Sequence, residues 1–312
     1  MRHRGRVVTA VLTAGAALVL ALSTATAADA GASPRDVPPP PDGWQTLFSD
    51  DFTGAAGTGL DTTNWLYDKG TGYDGGAANW GTGEVETMTD STENVYQDGN
   101  GNLVIKPTNN NGAWSSGRVE TQRTDIAAPE GGQLKVTASI QQPNPDSGLG
   151  YWPAFWMLGA DARPVGATNW PSIGEIDIME DVNAGSKTAG TLHCGTASGG
   201  PCNETNGLGS GLVDCGGCQT SFHTYSVVVD RTDGANEQIR WYVDDQQTYS
   251  ISESQMDTAT WQAAVDHGFF IILNVAMGGG FPNGVCGCST PTSDTSSGAG
   301  MTVGYVAAYT TG

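Results

Sequence analysis

Positive charge is scarce in this chain. Of its 312 residues only 13 are Lys or Arg, against 33 Asp and Glu. Three of those 13, Arg2, Arg4 and Arg6, precede an apolar or small run from Val7 to Leu22 that ends at Ala25-Thr26-Ala27. A basic start, an apolar centre and a small-x-small end read as a secretory signal over residues 1–27, so the mature protein is expected outside the cell. Without that segment 10 basic residues face 33 acids, a net charge near −23. Such a surface repels nucleic acid, anionic membranes and sulfated or uronate polymers, which leaves a neutral ligand as the fitting partner. After Leu22 no run is long and apolar enough to cross a bilayer. Helical periodicity is nearly missing too, with one short helix expected inside Ser252 to Val265. No repeat and no second linker appear, so a single monomeric domain is expected over residues 43–312, behind a Pro-rich linker at 28–42 (ADAGASPRDVPPPPD).

Cysteine is absent from the first 193 residues. All six, Cys194, Cys202, Cys215, Cys218, Cys286 and Cys288, lie in Gly-rich stretches of the last 119. In an exported chain they are expected to form disulfides that staple loops, with fifteen possible connectivities. Cys215-x-x-Cys218 also matches half of a zinc knuckle, but such a site wants a second pair or His partners at matching spacing.

Glycine is plentiful, at 45 residues, and punctuates strand-like runs. Those at 102–106, 117–122, 133–140, 151–158, 174–180, 191–193, 222–230, 238–243, 269–275 and 301–309 mostly alternate apolar with polar residues. That alternation marks antiparallel strands with one face in a core, and so an all-β sandwich of two packed sheets. In Tyr151 to Leu158 (YWPAFWML), alternation puts Trp152, Ala154, Trp156 and Leu158 on one face and Phe155 and Met157 on the other. Both faces are apolar, so one of them is expected to line a site where sugar rings stack on indoles. Trp80, in the Gly-rich Asn79-Trp80-Gly81, is a similar case.

Residues 174–181 read GEIDIMED. In a regular strand Glu175 and Asp177 would share a face, while Glu180 would point with Ile176 and Ile178 into the core, at a high desolvation cost. One β-bulge at Ile178-Met179 repairs this by returning Glu180 to the face of Glu175 and Asp177. The bulged strand then separates the Glu175 and Glu180 Cα atoms by about 13 Å. Side chains leaning together can bring their carboxyls to about 5 to 5.5 Å, the spacing of a retaining glycosidase. Crowding raises the pKa of such acids, which a general acid requires.

The G-E-I-D-I-M-E run resembles the E-x-D-x-x-E signature of glycoside hydrolase family 16, in its bulged, laminarinase-like branch. Trp44 to Phe52 (WQTLFSDDF), Asn79 to Thr89 (NWGTGEVETMT), Ser116-Gly117-Arg118, Trp152 to Leu158 and Phe222-His223-Thr224-Tyr225 match further motifs of that family in order. The resemblance covers nearly the whole chain after the linker. It implies a β-jelly-roll of two curved antiparallel sheets, of the concanavalin A-like kind, with an open cleft for a polysaccharide. It implies that Glu175 is the nucleophile, Asp177 the assisting carboxylate and Glu180 the acid/base. Trp152 and Trp156 would line the cleft, Arg118 and Glu84 would hydrogen-bond sugar hydroxyls, and His193 would sit near Glu180. The implied activity is endo-hydrolysis of a β-1,3-glucan, with β-1,3-galactan as the alternative backbone and a non-catalytic carbohydrate-binding jelly-roll as the alternative of another class. Three departures stand out. Phe281 replaces the Trp of the family's G-G-x-W-P loop, the loop from His193 to Cys218 is Cys-rich, and Gly304 occupies the place of an Asp that often binds structural calcium. Weak binding of structural calcium, or none, is therefore expected, and no cofactor.

Overall fold

A computed structural model describes Met1 and residues 36–312. The expected signal segment, and the linker as far as residue 35, lie outside the described residues.

The period-2 runs all form strands. They build two eight-stranded antiparallel sheets, and a small three-stranded sheet lies beside them. One large sheet has at its centre the strands Tyr151–Gly159, Glu175–Glu180, Lys187–His193 and Phe269–Met277. The other has Gln133–Gln141, His223–Asp230 and Met301–Thr310 at its centre. Alternate residues of the two sheets meet in one core. Phe155, Met157, Ile176, Leu192 and Leu273 come from the first, and Val136, Ile140, Val227, Val303 and Val306 from the second. This is the sandwich that the alternation predicts.

The strand Phe269–Met277 is buried along its whole length. Its odd residues feed the main core, while Phe270 and Ile272 turn outward under Leu158, Ala162 and Trp156. A short 3₁₀ segment, Ala160–Val165, supplies Ala162 to this second cluster. The first sheet therefore has apolar side chains on both faces, and its outer face carries the cleft described below.

The last residues of the expected linker touch the second sheet. Tyr305, Ala307 and Tyr309 present an apolar face on the outside of the second sheet, and Val37 and Trp44 pack on it. The Tyr309 hydroxyl donates to the carbonyl of Pro38. Packing thus begins before Gly43, because this apolar patch would otherwise face water.

The expected helix is Thr258–Val265. Asp257 caps it by accepting from the Thr260 amide, and Trp261, Ala264 and Val265 are its buried residues. A second helix, Gly280–Cys286, escapes the sequence reading because its Gly and Pro content reads as loop. No helix among the described residues is long and apolar enough to cross a membrane. The six cysteines pair locally, as Cys194–Cys202, Cys215–Cys218 and Cys286–Cys288.

Candidate active site

The acidic strand carries the expected bulge. Phe155 lies opposite Met179 and Trp156 opposite Asp177, so Ile178 has no partner on that side. On the other side Asp177 faces Thr191 and Glu180 faces Ala189, so two residues oppose Gly190 alone. Ile176, Ile178 and Met179 stay in the core. Glu175, Asp177 and Glu180 all line one cleft of about 610 Å³.

The bulge has a tertiary support. The Asp177 carbonyl accepts the indole N–H of Trp241, which reaches across the core from the second sheet (2.7 Å). Gly190, opposite the bulge, makes room for that indole. A Cβ there would lie 2.3 Å from Trp241 Cδ1.

Each acid of the cleft has its own surroundings. Glu180, 8% exposed, accepts from Trp152 Nε1 at 2.7 Å. Burial first, and the charge of Asp177 second, push its pKa well above the ordinary carboxylate value. Glu175 accepts from Trp170 Nε1 at 3.2 Å and lies 3.9 Å from His193 Nε2. Its pKa is raised to about 8, chiefly by burial and then by Asp177, while His193 and Arg118 oppose the rise. His193, Arg118 and an N–H donor thus favour the ionised form of Glu175, whereas Glu180 has one indole N–H and the charge of His193, and its pKa still stands well above the ordinary value. Of the two, Glu175 is the better-supported anion and Glu180 the better holder of a proton. Asp177 Oδ2 lies 3.4 Å from His193 Nε2.

His193 lies opposite Glu175 in the antiparallel register, while Ala189 lies opposite Glu180. Its Nε2 points at Glu175 and Asp177, and its charge also acts on Glu180.

Arg118 lines the cleft and is held from several sides. It is 4% exposed, its guanidinium carbon sits 4.3 Å from the Trp80 ring and 4.7 Å from the Trp156 ring, and Nε binds Asp68 at 2.9 Å. Its Nη2 donates to the Tyr73 hydroxyl at 2.7 Å, and that hydroxyl donates to Glu120. Glu120 is in turn held by Arg163 at 2.9 Å. Two of the donor nitrogens that could have met sugar hydroxyls are thus bound inside the protein. The guanidinium stacks beneath the two indoles and supplies positive charge to the cleft floor.

Trp80 lines the cleft, on a left-handed backbone (φ 54°) that a bulky residue rarely adopts. Trp152 and Trp156 line it as expected, and Trp156 Nε1 is fixed by Asn274 Oδ1 at 2.7 Å. Glu84 lines it too. One of its oxygens accepts from Thr82 Oγ1 (2.7 Å), the other is buried, and the Glu86 carboxyl lies against it, with its pKa raised by burial first and by Glu84 second. Phe281 is not among the cleft-lining residues. It meets the Trp152 ring edge to face at 5.8 Å and so braces the indole.

Trp170, Tyr73, Asp68, Asn274 and Glu204 were not singled out from sequence. They reach the site from loops and neighbouring strands, and no local pattern marks them.

Among the described residues two groups lie close enough to share a metal ion, Cys215 with Cys218 and His223, and Glu175 with Asp177 and His193. The first pair of sulfurs is joined as a disulfide. The second group is the acid cluster itself.

Similarity to known proteins agrees with this geometry. A family model described as XgeA-like, catalytic GH16 domain, matches residues 142–221. The chain is 31% identical over 283 residues to glucan endo-1,3-beta-glucosidase A1 of Niallia circulans, covering 86% of this chain and 38% of that relative. It is 29% identical over 271 residues to the keratan-sulfate endo-1,4-beta-galactosidase of Sphingobacterium multivorum, covering 85% of this chain and 55% of that one. The chain thus spans between a third and a little over half of these two relatives. Among solved structures, an endo-1,3-beta-glucanase from Streptomyces sioyaensis is 53% identical, with a TM-score of 0.84, covering 88% of this chain and 99% of that one. The endo-beta-1,3-glucanase from Pyrococcus furiosus is 31% identical with a TM-score of 0.65, covering 85% and 94%. With the bulged acid strand in place and this likeness extending over nearly all of two enzyme structures, the chain belongs to glycoside hydrolase family 16.

Proposed function

We propose that this protein is a retaining endo-glycosidase that hydrolyses a neutral β-1,3-glucan, with Glu175 as nucleophile, Asp177 as assisting carboxylate and Glu180 as acid/base. The observation that carries the reading is the return of Glu180, through the bulge, to the cleft face of Glu175 and Asp177.

The chemistry follows from the surroundings of each group. Glu180 gives its proton to the glycosidic oxygen as the bond to the leaving sugar breaks. Glu175 attacks the anomeric carbon and forms a glycosyl-enzyme. Glu180, now ionised, takes a proton from water, which attacks the same carbon and releases Glu175. Every step draws on side chains of this chain. A lectin would need neither the proton held on Glu180 nor the cations beside Glu175. The indoles of Trp80, Trp152 and Trp156 offer flat apolar faces for sugar rings. The acidic net charge argues against a sulfated substrate, and the basic, apolar start of the chain supports export. Most of the similar structures carry glucanase or laminarinase names, which favours glucan over galactan as the backbone.

The test is one panel. Laminarin, mixed-linkage β-glucan, β-1,3-galactan and agarose are each incubated with the protein, and reducing ends and product sizes are followed. We expect oligosaccharides of several sizes to appear early from laminarin, the mark of endo cleavage. Faster release from galactan would overturn the glucan reading. Binding without release from any of the four would overturn the enzyme reading.

A further inference from the structure

The loop after His193 is tied down in an unusual way. It leaves the strand at Cys194 and is closed by the Cys194–Cys202 disulfide. It returns to the same strand through Leu208 and Gly209, which pair with Leu192 and Thr191. Between the disulfide and that return sits Glu204, a 5% exposed carboxylate. One of its oxygens accepts from the Cys194 amide at 2.9 Å, and the other lies 2.8 Å from His193 Nδ1. Gly207 completes the fit, since a Cβ there would come within 3.0 Å of His193 Cε1. The ring is also packed against Trp170, with centroids 5.5 Å apart.

We propose that Glu204 is a positioning residue of this active site, which fixes His193 through Nδ1 so that Nε2 stays aimed at Glu175 and Asp177. The proposal rests on the reading of Glu175 as nucleophile.

The charges that face the ring explain why a carboxylate stands there. From the acidic strand, Glu175 and Asp177 face Nε2; from the loop, Glu204 faces Nδ1. Glu180, Glu84 and Arg118 are the remaining ionisable groups that line the cleft, and the charge of Glu180 is felt at the ring as well. Burial opposes a charge on the ring, but the bonds to Asp177 and Glu204 and the charge of Glu175 outweigh it and raise the His193 pKa well above its ordinary value. A charged ring in turn favours the ionised form of Glu175, which the attack requires. Removing the charge of Glu204 withdraws one of the supports of the ring's proton, and a neutral ring deprives Glu175 of a cationic neighbour, a larger effect than the direct repulsion between Glu204 and Glu175 that is lost with it. The Glu175 pKa rises, so a higher pH is needed to ionise it.

The experiment compares pH–rate profiles of the full protein with those of Glu204→Gln and Glu204→Asp on soluble laminarin. For Glu204→Gln the acid limb of kcat/KM is expected to move up by about one pH unit. Activity on that limb then falls about tenfold, KM changes little, and the loss shrinks as pH rises. Glu204→Asp, which keeps the charge, is expected to return the limb most of the way. A Glu204→Gln profile with unmoved limbs, at full or uniformly reduced rate, overturns the proposal. If Glu204→Gln does not fold, the imidazole nitrogens of His193 decide, measured by NMR in the unmodified protein and assigned by their loss in His193→Gln. A doubly protonated ring at pH 7 supports the role, and a neutral ring overturns it. Failure of the underlying reading is distinct, because it would appear as retained activity in Glu175→Gln whatever Glu204→Gln does.

Discussion

Glu175→Gln is expected to lower kcat on laminarin by on the order of 10⁴- to 10⁶-fold, the scale seen when an enzyme loses the group that forms its covalent intermediate. Glucan binding should change no more than a few-fold, since the amide is nearly isosteric and the indoles of the cleft are untouched. No neighbour can take over. Asp177 is set beside His193, at 3.4 Å, and Glu180 is bound to Trp152. Measurement of single-turnover rates together with binding isotherms separates the two effects. A rate within a hundredfold of the unmodified protein would remove Glu175 from its role. Glu175→Gly in the presence of azide sharpens the test. The small anion enters the vacated space, attacks the anomeric carbon and gives a glycosyl azide of α configuration from a β-linked substrate. A β azide, or no azide product from an activated aryl glycoside, would contradict a retaining mechanism.

The same substitution has a second, smaller consequence for pH dependence. Activity needs Glu175 ionised and Glu180 protonated, so the rate rises as pH passes the Glu175 pKa and falls as it passes that of Glu180. The charge of Glu175 is one of the causes holding the Glu180 pKa up. In Glu175→Gln that cause is gone, and Glu180 should lose its proton at a lower pH than in the unmodified protein.

Trp241→Phe is expected to destabilise the fold by about 3 kcal/mol, combining a lost buried hydrogen bond of about 1–3 kcal/mol with a packing defect of similar size. The indole is 1% exposed and its N–H satisfies the Asp177 carbonyl. Phenylalanine leaves that carbonyl unpaired and leaves space beside Gly190. Because the carbonyl belongs to the residue where the bulge begins, the spacing of Glu175 and Glu180 should loosen as well, with kcat falling about tenfold, as small misplacements of reacting groups do. Trp261→Phe is the control. That side chain is also fully buried and also loses a hydrogen bond, from Nε1 to Glu237 at 2.8 Å, but its indole N–H does not hold the backbone of the acid strand. It should cost similar stability in a denaturant melt and leave kcat unchanged. Equal kcat values for the two variants would show that the Trp241 indole does not hold the bulge in its active shape.

The acid cluster was legible before any coordinates because its signal is local. A strand has a period of two, and GEIDIMED fits that period with both glutamates out of the core if one residue is extra. The alternation of Trp152, Phe155, Trp156 and Met157 is local in the same sense, and it placed the indoles correctly on the cleft side. Phe281 was misplaced because a motif gives a position in the chain but not a direction. Here the helix Gly280–Cys286 turns that ring against Trp152.

The covalent order of the residues by itself determined the two-sheet class, the face to which each acid of 175–180 turns and the sign of the surface charge, since all three depend on neighbours one to four residues apart or on simple sums. What surrounds those acids was decided only when distant segments met. Asp68 and Arg118 are 50 positions apart, Trp241 and Asp177 64, and Trp156 and Asn274 118. Strand register set His193 against Glu175, and loop closure carried Glu204 to the far side of its ring. Burial and charge at those meeting points fix which carboxyl keeps its proton, and no window along the chain contains that information.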